Sequence, residues 1–192
     1  MKTIIAKDSY KEKYDIGNIK VCHLEAVLDE GKGIYECYEC TMPTNQYNEE
    51  KVQNIFAEFQ SKLKASELAN VKAQKIAEIE AYDLSSEVNG FLLNGKKFWL
   101  DKATRVGLMN STSIAKGMGY ATTTLWLEGM KIVVNCDKAI GLLSALEMYA
   151  LECFNVTAAH KKAVAELNTV EEVLEYDYTK GYPEQLRMEV SL

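Results

Sequence analysis

The chain has 192 residues, of which 47% are hydrophobic and 26% charged, values typical of a soluble folded domain. Its 28 acidic and 22 basic residues give a net charge of −6, which disfavours nucleic-acid binding because phosphate backbones require a basic face. Five cysteines, an odd count, indicate reduced thiols rather than a disulfide framework. We find no signal-peptide pattern and expect no membrane-spanning segment, so the chain is expected to be made and folded in the cytoplasm.

The first segment, residues 1–47, is predicted to be a small β-meander of about three strands. The first strand is placed at Thr3–Ala6, and the runs IKVCHLEAVLD and IYECYECTM supply two more. Pro43 ends the last run because it offers no backbone N–H to a sheet. Tyr35 and Tyr38 are candidates for a contact face, since tyrosine covers apolar area while keeping a polar hydroxyl. The alternative places these tyrosines at the rim of a small core.

Residues 48–84 are predicted to be a helical connector, either one long helix or two consecutive ones. Asn48 before Glu49 is typical of a helix start, with a capping side chain and an acid on the first turn. Apolar residues then recur at three- and four-residue spacing on one helical face: Val52, Ile55, Phe56, Phe59 and Leu63. We predict that this face docks on a partner protein or on a second copy of the chain. The alternative is that it packs on the chain's own sheets.

Residues 85–192 are predicted to form a ββα–ββα body in which each half begins with a hairpin. FLL-NG-KKF is a strand, an Asn-Gly turn and a strand, and TTTLWL-EG-MKIVVN repeats this order. Asp101 and Asp137 are expected to open the two following helices, and Thr169 a short third one. The tail past Pro183 is compatible with a terminal strand. A shared core is predicted for eight side chains: Phe91, Leu93, Phe98, Leu100, Leu125, Leu127, Ile132 and Val134. The fold class is therefore α+β.

No catalytic or metal-binding pattern is complete in this sequence. Cys37 and Cys40, in CYEC, have the spacing of a metal or redox site, but residues three apart on a strand face opposite ways. His23 has no group placed to orient it, and His160, in AAHKKA, is expected on a solvated helix face. AKGMG and EGKG lack the spacing of phosphate-binding loops. We therefore predict no enzymatic activity, no cofactor and no metal.

Residues 72–175 resemble a domain-of-unknown-function family found in phage and prophage tail-fibre and tail-associated proteins of gut bacteria. The segments KAQKIAEIEAYD, VNGFLLNGKKFWLDKATRVGL and TTTLWLEGMKIVVNCDKAIGLLSALEMYALECF carry the resemblance. The positions that match the family pattern are Lys75, Ile76, Ile79, Phe91, Gly95, Phe98, Asp101, Arg105, Trp126, Gly129, Asp137, Tyr149 and Ala163. These are structural positions, and the predicted meander of residues 1–47 lies outside the pattern.

The resemblance implies a non-enzymatic tail-associated structural or adaptor protein that acts through protein–protein contacts and is located in the virion or the host cytoplasm. Its partners would be other tail or fibre subunits, and possible self-association would give a homo-oligomer. A second reading is a cytoplasmic chaperone for tail-fibre assembly. A third is an unrelated small binding protein or enzyme that uses the cysteines or a pocket that the sequence does not reveal.

Overall fold

A computed structural model describes residues 2–6, 11–15, 17–29 and 34–190, and the side chains of residues 17–21 and 38–190. Contacts between residues divide the chain into two units, Met1–Glu67 and Leu68–Leu192. The fold is α+β, as the sequence predicts, with small sheets that pack against helices.

The first unit contains a sheet of four strands, where the sequence predicted three. The strands are β1 (Lys2–Ala6), β2 (Lys11–Asp15), β3 (Asn18–Asp29) and β4 (Ile34–Pro43). They lie in the order β1-β4-β3-β2, and every neighbouring pair is antiparallel. The prediction missed β2 because its sequence, KEKYD, lacks the apolar alternation that marks a half-buried strand. A short 3₁₀ turn, Thr44–Gln46, follows β4.

One continuous helix, α1 (Glu49–Asp83), forms where the sequence allowed either one helix or two. No glycine or proline interrupts it, and the Asn48 side chain accepts a hydrogen bond from Lys51 N at 3.0 Å. Within the first unit, Val52 and Phe56 of this helix are buried in a cluster with Val21, Tyr38 and Met42. Residues of β4 two apart share a face, so α1 covers the face that carries Tyr38 and Met42.

The second unit has the predicted ββα–ββα order. Its elements are β5 (Phe91–Leu93), β6 (Lys96–Phe98), α2 (Lys102–Gly117), β7 (Thr122–Leu127), β8 (Met130–Asn135) and α3 (Cys136–Glu166). A short helix, α4 (Val170–Glu175), and a strand, β9 (Arg187–Met188), complete it. Both hairpin turns begin with a residue of positive φ, Asn94 at 49° and Glu128 at 46°, followed by a glycine. Two such residues in sequence define the turn that matches strand twist.

The two hairpins belong to separate sheets but share one core. β9 pairs in parallel with β5 to give the order β6-β5-β9, whereas β7 and β8 form a two-stranded sheet. All eight side chains that the sequence placed in a common core are buried in one cluster, which confirms that prediction. β9 confirms a terminal strand beyond Pro183.

Helix capping explains where the helices of the second unit begin. Asp101 Oδ1 accepts from Thr104 N at 2.8 Å, as predicted, and Thr169 forms a capping box with Glu172. The prediction for Asp137 was wrong. Asn135 caps α3 by accepting from Asp137 N at 2.9 Å, because its side chain can reach the free N–H groups of the first turn.

Among the described residues, one helix, α3, is long and apolar enough to cross a membrane, with a mean hydropathy of 1.3 over its most apolar stretch. No membrane-spanning segment was predicted from the sequence. A third of that stretch is buried within the folded chain, where Leu143, Leu146 and Cys153 lie in the protein interior. Core packing therefore accounts for part of its composition.

Candidate binding groove

A groove of about 450 Å³ opens on the surface of the second unit. It lies between the end of α1, the turn that precedes β5, the start of α2 and the middle of α3. This volume is within the range of small-ligand and side-chain pockets in proteins. The lining residues are Asp83, Leu84, Asn89, Trp99, Leu100, Asp101, Lys102, Arg105, Glu147, Ala150, Leu151 and Phe154.

An ion pair between α2 and α3 forms one wall of the groove. Arg105 is only 7% exposed, and its Nε donates to Glu147 Oε1 at 2.8 Å. Its Nη1 donates to the carbonyl oxygen of Leu100, also at 2.8 Å. Asp101 places Arg105 in the first turn of α2 by capping that helix. The Arg105 charge is thereby balanced inside the wall, since a buried guanidinium requires both a counter-charge and acceptors.

Two polar atoms in the lining are buried without a hydrogen-bond partner: Asn89 Oδ1 and Trp99 Nε1. Asn89 Nδ2 donates to the carbonyl of Asp83, so the amide orientation is set and Oδ1 is left as the free acceptor. Trp99 is held by its backbone N, which donates to Glu128 Oε1 at 3.1 Å. The third such atom in the described part of the chain, Thr112 Oγ1, does not line the groove.

The turn that carries Asn89 is fixed from the core side. Tyr149 OH donates to the carbonyl of Val88 at 2.7 Å, and the Cys153 thiol contacts the same oxygen at 3.5 Å. Burial raises the pKa of Tyr149 to about 12 and that of Cys153 to about 11, so both remain protonated donors at neutral pH. A Cβ at Gly90 would collide with the carbonyl oxygen of Ser86, which explains why glycine follows Asn89.

The rim of the groove is apolar and open to solvent. Leu84 is 71% exposed, Leu151 49% and Phe154 59%. Leu151 and Phe154 are three residues apart and therefore neighbours on one face of α3. At the edge, hydrogen bonds from the Thr104 hydroxyl and backbone lower the pKa of Asp101, which keeps its carboxylate charged. Contiguous exposed apolar side chains beside a concave surface are typical of binding sites.

The predicted docking face of α1 is largely used within the first unit. Val52 and Phe56 are 1% and 2% exposed, and Ile55 and Phe59 pack against the same cluster. The ring of Phe59 meets that of Tyr38 edge-on at 4.9 Å. Leu63 remains 40% exposed, and the Tyr35 side chain lies outside the described residues. The structure therefore places most of this face, with Tyr38, in an interior rather than on a free surface.

The candidate ligands for metal or redox chemistry do not come together in the part of the chain that the structure describes. No group of three or more His, Cys, Asp or Glu residues there could hold an ion. Cys40, Cys136 and Cys153 are free thiols, and Cys37 and Cys40 lie within the continuous strand β4. The side chains of Cys37, Cys22 and His23 lie outside the described residues.

The sequence predicted a solvated helix face for His160, which in the structure is half-buried and has a hydrogen-bond partner on each ring nitrogen. Its Nε2 donates to the carbonyl of Lys180 at 2.8 Å, and its Nδ1 shares a hydrogen bond with the Tyr176 hydroxyl at the same distance. These contacts tie the segment after α4 to α3. These contacts were not predictable from the sequence, because the partners of His160 lie 16 and 20 residues away in irregular structure.

Sequence reasoning also missed the groove, although two of its residues, Asp101 and Arg105, belong to the family pattern. Asn89, Trp99 and Phe154 carry no recognisable motif. One signal was present: apolar side chains occur on every side of α3, more than one core-facing stripe requires. The surplus, which includes Met148, Leu151 and Phe154, is what the structure leaves exposed.

Fold and groove together define the class: an α+β protein of two units, the second of which has a mainly apolar groove with a charged pair in its wall. The chain belongs to the family defined by the domain of unknown function DUF4376, which matches residues 70–180. The matched region contains every residue that lines the groove. No curated protein and no solved structure matches the chain significantly.

Proposed function

We propose that this protein is a non-enzymatic adaptor that binds a partner protein through the groove of its second unit and the apolar rim around it. The observation that carries the proposal is the exposure of Leu84, Leu151 and Phe154 around a groove whose wall buries two unpartnered polar atoms. Large apolar side chains that are exposed beside a concave surface are typical of protein interaction sites.

The proposed setting is a phage or prophage tail, in which the partner is another tail or fibre subunit. This part of the proposal is supported by the resemblance of residues 72–175 to tail-associated proteins. The alternative is a chaperone for tail-fibre assembly, which would use the same surface but leave before the particle is complete. A tail component and an assembly chaperone would both use this groove, so the two roles are distinguished by whether the protein is found in the finished particle or only in the cytoplasm.

The experiment follows a tagged copy of the chain through particle production in a host that carries the corresponding prophage. Purified particles and the particle-free cytoplasm are compared by quantitative mass spectrometry after crosslinking. We expect the wild type in the particles, crosslinked to a tail or fibre subunit. A protein that is crosslinked to a fibre subunit only in the cytoplasm is a chaperone. Absence of a tail or fibre partner from both fractions would overturn the proposed setting.

Matched substitutions test whether the groove is responsible. Phe154→Ser removes an anchor at the rim and should reduce partner crosslinking by about tenfold or more, as expected of an interface hot spot. Ile114→Ser is the control, because Ile114 is equally exposed, at 63%, on α2 and does not line the groove. Equal losses for the two variants would place the interface elsewhere.

A further inference from the structure

Strand β7 is an open sheet edge of the second unit. β7 and β8 form a sheet of two strands, so each of them has one edge without a neighbouring strand. In a hairpin with a two-residue turn, the residues that flank the turn, here Leu127 and Met130, form a hydrogen-bonded pair, and such pairs recur at every second position. The bond of 3.0 Å from Cys136 N to the Ala121 carbonyl continues this alternation. The residues between these pairs therefore direct their backbone groups away from the partner strand.

Three residues of β7 present outward backbone groups: Thr122, Thr124 and Trp126. In the part of the chain that the structure describes, no hydrogen bond is made to their outward N–H or carbonyl groups. The bond from Trp99 N to Glu128 Oε1 lies at the turn, beyond the end of the strand. The three residues of β7 are also exposed. A row of alternating donors and acceptors of this kind is complementary to the backbone of another β-strand.

The absence of charge distinguishes β7 from every other edge strand that the structure describes. The outer strands of the first sheet, β1 and β2, have the sequences KTIIA and KEKYD, and those of the β6-β5-β9 sheet are KKF and RM. β8 contains Lys131. The sequence of β7 is TTTLWL, and no charged residue occurs in residues 118–127. Because charged side chains protect an edge from pairing with other chains, β7 is the edge that is left open to such pairing.

We infer that two copies of the chain associate by antiparallel pairing of their β7 strands, which gives a four-stranded sheet. Thr124 lies on the two-fold axis and pairs with Thr124 of the second copy, while Thr122 pairs with Trp126 of that copy. This register uses all three outward residues and forms about six backbone hydrogen bonds. The interface is isologous and closes as a dimer, since the new outer edges are the β8 strands, each of which carries Lys131.

A second copy of the chain fits this edge without opposing like charges. In the register centred on Thr124, Glu128 lies opposite Tyr120 of the second copy, and Lys131 lies in the same row as Asn135 of that copy. A strand with charged side chains would find no counter-charge along β7. The chain itself supplies an uncharged strand that is already folded and exposed, so little order has to be imposed when the two copies meet.

This surface is separate from the groove, so the inference goes beyond the proposed function. No residue of β7 lines the groove. Self-association through β7 and partner binding through the groove are therefore altered by different substitutions. Phe154→Ser, which tests the groove, should leave the dimer intact.

Sedimentation equilibrium of the full-length chain under reducing conditions measures the association. We expect a monomer–dimer equilibrium with a Kd of about 10–100 μM, since one strand pair is a small interface. Thr124→Lys places like charges opposite each other on the axis and should weaken association about tenfold or more. Val133→Lys is the matched control and should have no such effect. Val133 is the direct cross-strand neighbour of Thr124, is 53% exposed and has its outward backbone groups on the edge of β8.

A pair of opposite charges tests the register and shows that the variants are folded. Thr124→Glu should weaken association as Thr124→Lys does, but an equimolar mixture of the two variants should dimerise within about threefold of the wild type, because opposite charges then meet on the axis. A mixture that associates no more tightly than either variant alone would overturn the inference. So would equal weakening by Val133→Lys, loss of the dimer in Phe154→Ser, or an assembly larger than a dimer. A wild type that stays monomeric at about 1 mM would also overturn it.

Discussion

Asn94 holds the last described residue of the chain, Val190, by a two-way hydrogen bond between a side chain and a backbone. Asn94 Oδ1 accepts from Val190 N at 2.8 Å, and Asn94 Nδ2 donates to the Val190 carbonyl at 2.9 Å. Asn94 also begins the β5–β6 turn at a φ of 49°. One residue therefore shapes the first hairpin and anchors the C-terminal segment, which reaches the core through Val190.

Replacement of Asn94 by glycine is expected to release the C-terminal segment while preserving the turn. Glycine adopts positive φ without strain, so the hairpin remains, but both hydrogen bonds to Val190 are lost. We expect the free energy of unfolding to fall by about 1–2 kcal/mol. Hydrogen exchange of the amides of residues 186–190 should accelerate more than that of β6. Unchanged protection of residues 186–190 would show that apolar packing alone holds the segment.

Truncation of Phe98 to alanine should be among the most damaging changes in the second unit. Phe98 is 1% exposed and stacks on Phe91 with ring centroids 5.9 Å apart. We expect a loss of about 3–5 kcal/mol in urea unfolding, from lost burial and the resulting cavity. Trp126→Ala is the control, since this larger ring is 59% exposed and its removal should cost about 0.5 kcal/mol or less. Similar losses in both variants would contradict the burial of Phe98.

Local signals made the body of the second unit predictable. The Asn94-Gly95 and Glu128-Gly129 pairs lie where a two-residue turn needs positive φ. Apolar and polar residues alternate on either side of these turns, which predicted that Phe91, Phe98 and the apolar residues of the second hairpin face the core. The strand β2 was not predictable in this way, because its charged residues show no alternation. Asp137 was predicted to cap α3 instead of Asn135, because both residue types are good helix caps and only the backbone geometry decides between them.

Contacts between distant residues explain why the groove was not predicted. Arg105 and Glu147 are 42 residues apart, and the wall needs the side chains of Asn89 and Trp99 to be brought next to α2. Periodicity shows that α3 has apolar residues on several faces, but not which face the rest of the fold covers. The same limit applies to α1, whose apolar stripe could equally have been a docking face or, as the structure shows for Val52 and Phe56, part of an interior.

The stability of the second unit should decrease at alkaline pH. Burial raises the pKa of the Cys153 thiol to about 11, above its value of about 8.5 in an unfolded chain. Because the folded state holds this proton more tightly, the stabilisation is fully present below about pH 8.5 and is lost as the pH rises towards 11. Urea unfolding of the wild type and of Cys153→Ala across this range should give a steeper decline for the wild type. Parallel curves would contradict the shift.

The Arg105–Glu147 pair should contribute to stability in an asymmetric way. Arg105→Met leaves Glu147 and the Leu100 carbonyl without their donors, so we expect a loss of about 2–4 kcal/mol in urea unfolding. Glu147→Gln should cost less, since the amide oxygen still accepts from Arg105 Nε and the side chain is 34% accessible to solvent.

The control for Arg105→Met is Lys97→Met, which removes an ion pair with Glu87 that is solvent-exposed on both sides. Its expected cost is about 0–1 kcal/mol, because water and side-chain entropy offset the attraction between exposed charges. If Arg105→Met cost no more than this control, the guanidinium would not be the structural centre of the groove wall. A larger cost for Glu147→Gln than for Arg105→Met would show that the Leu100 carbonyl can be satisfied without Arg105 and that the carboxylate dominates the wall.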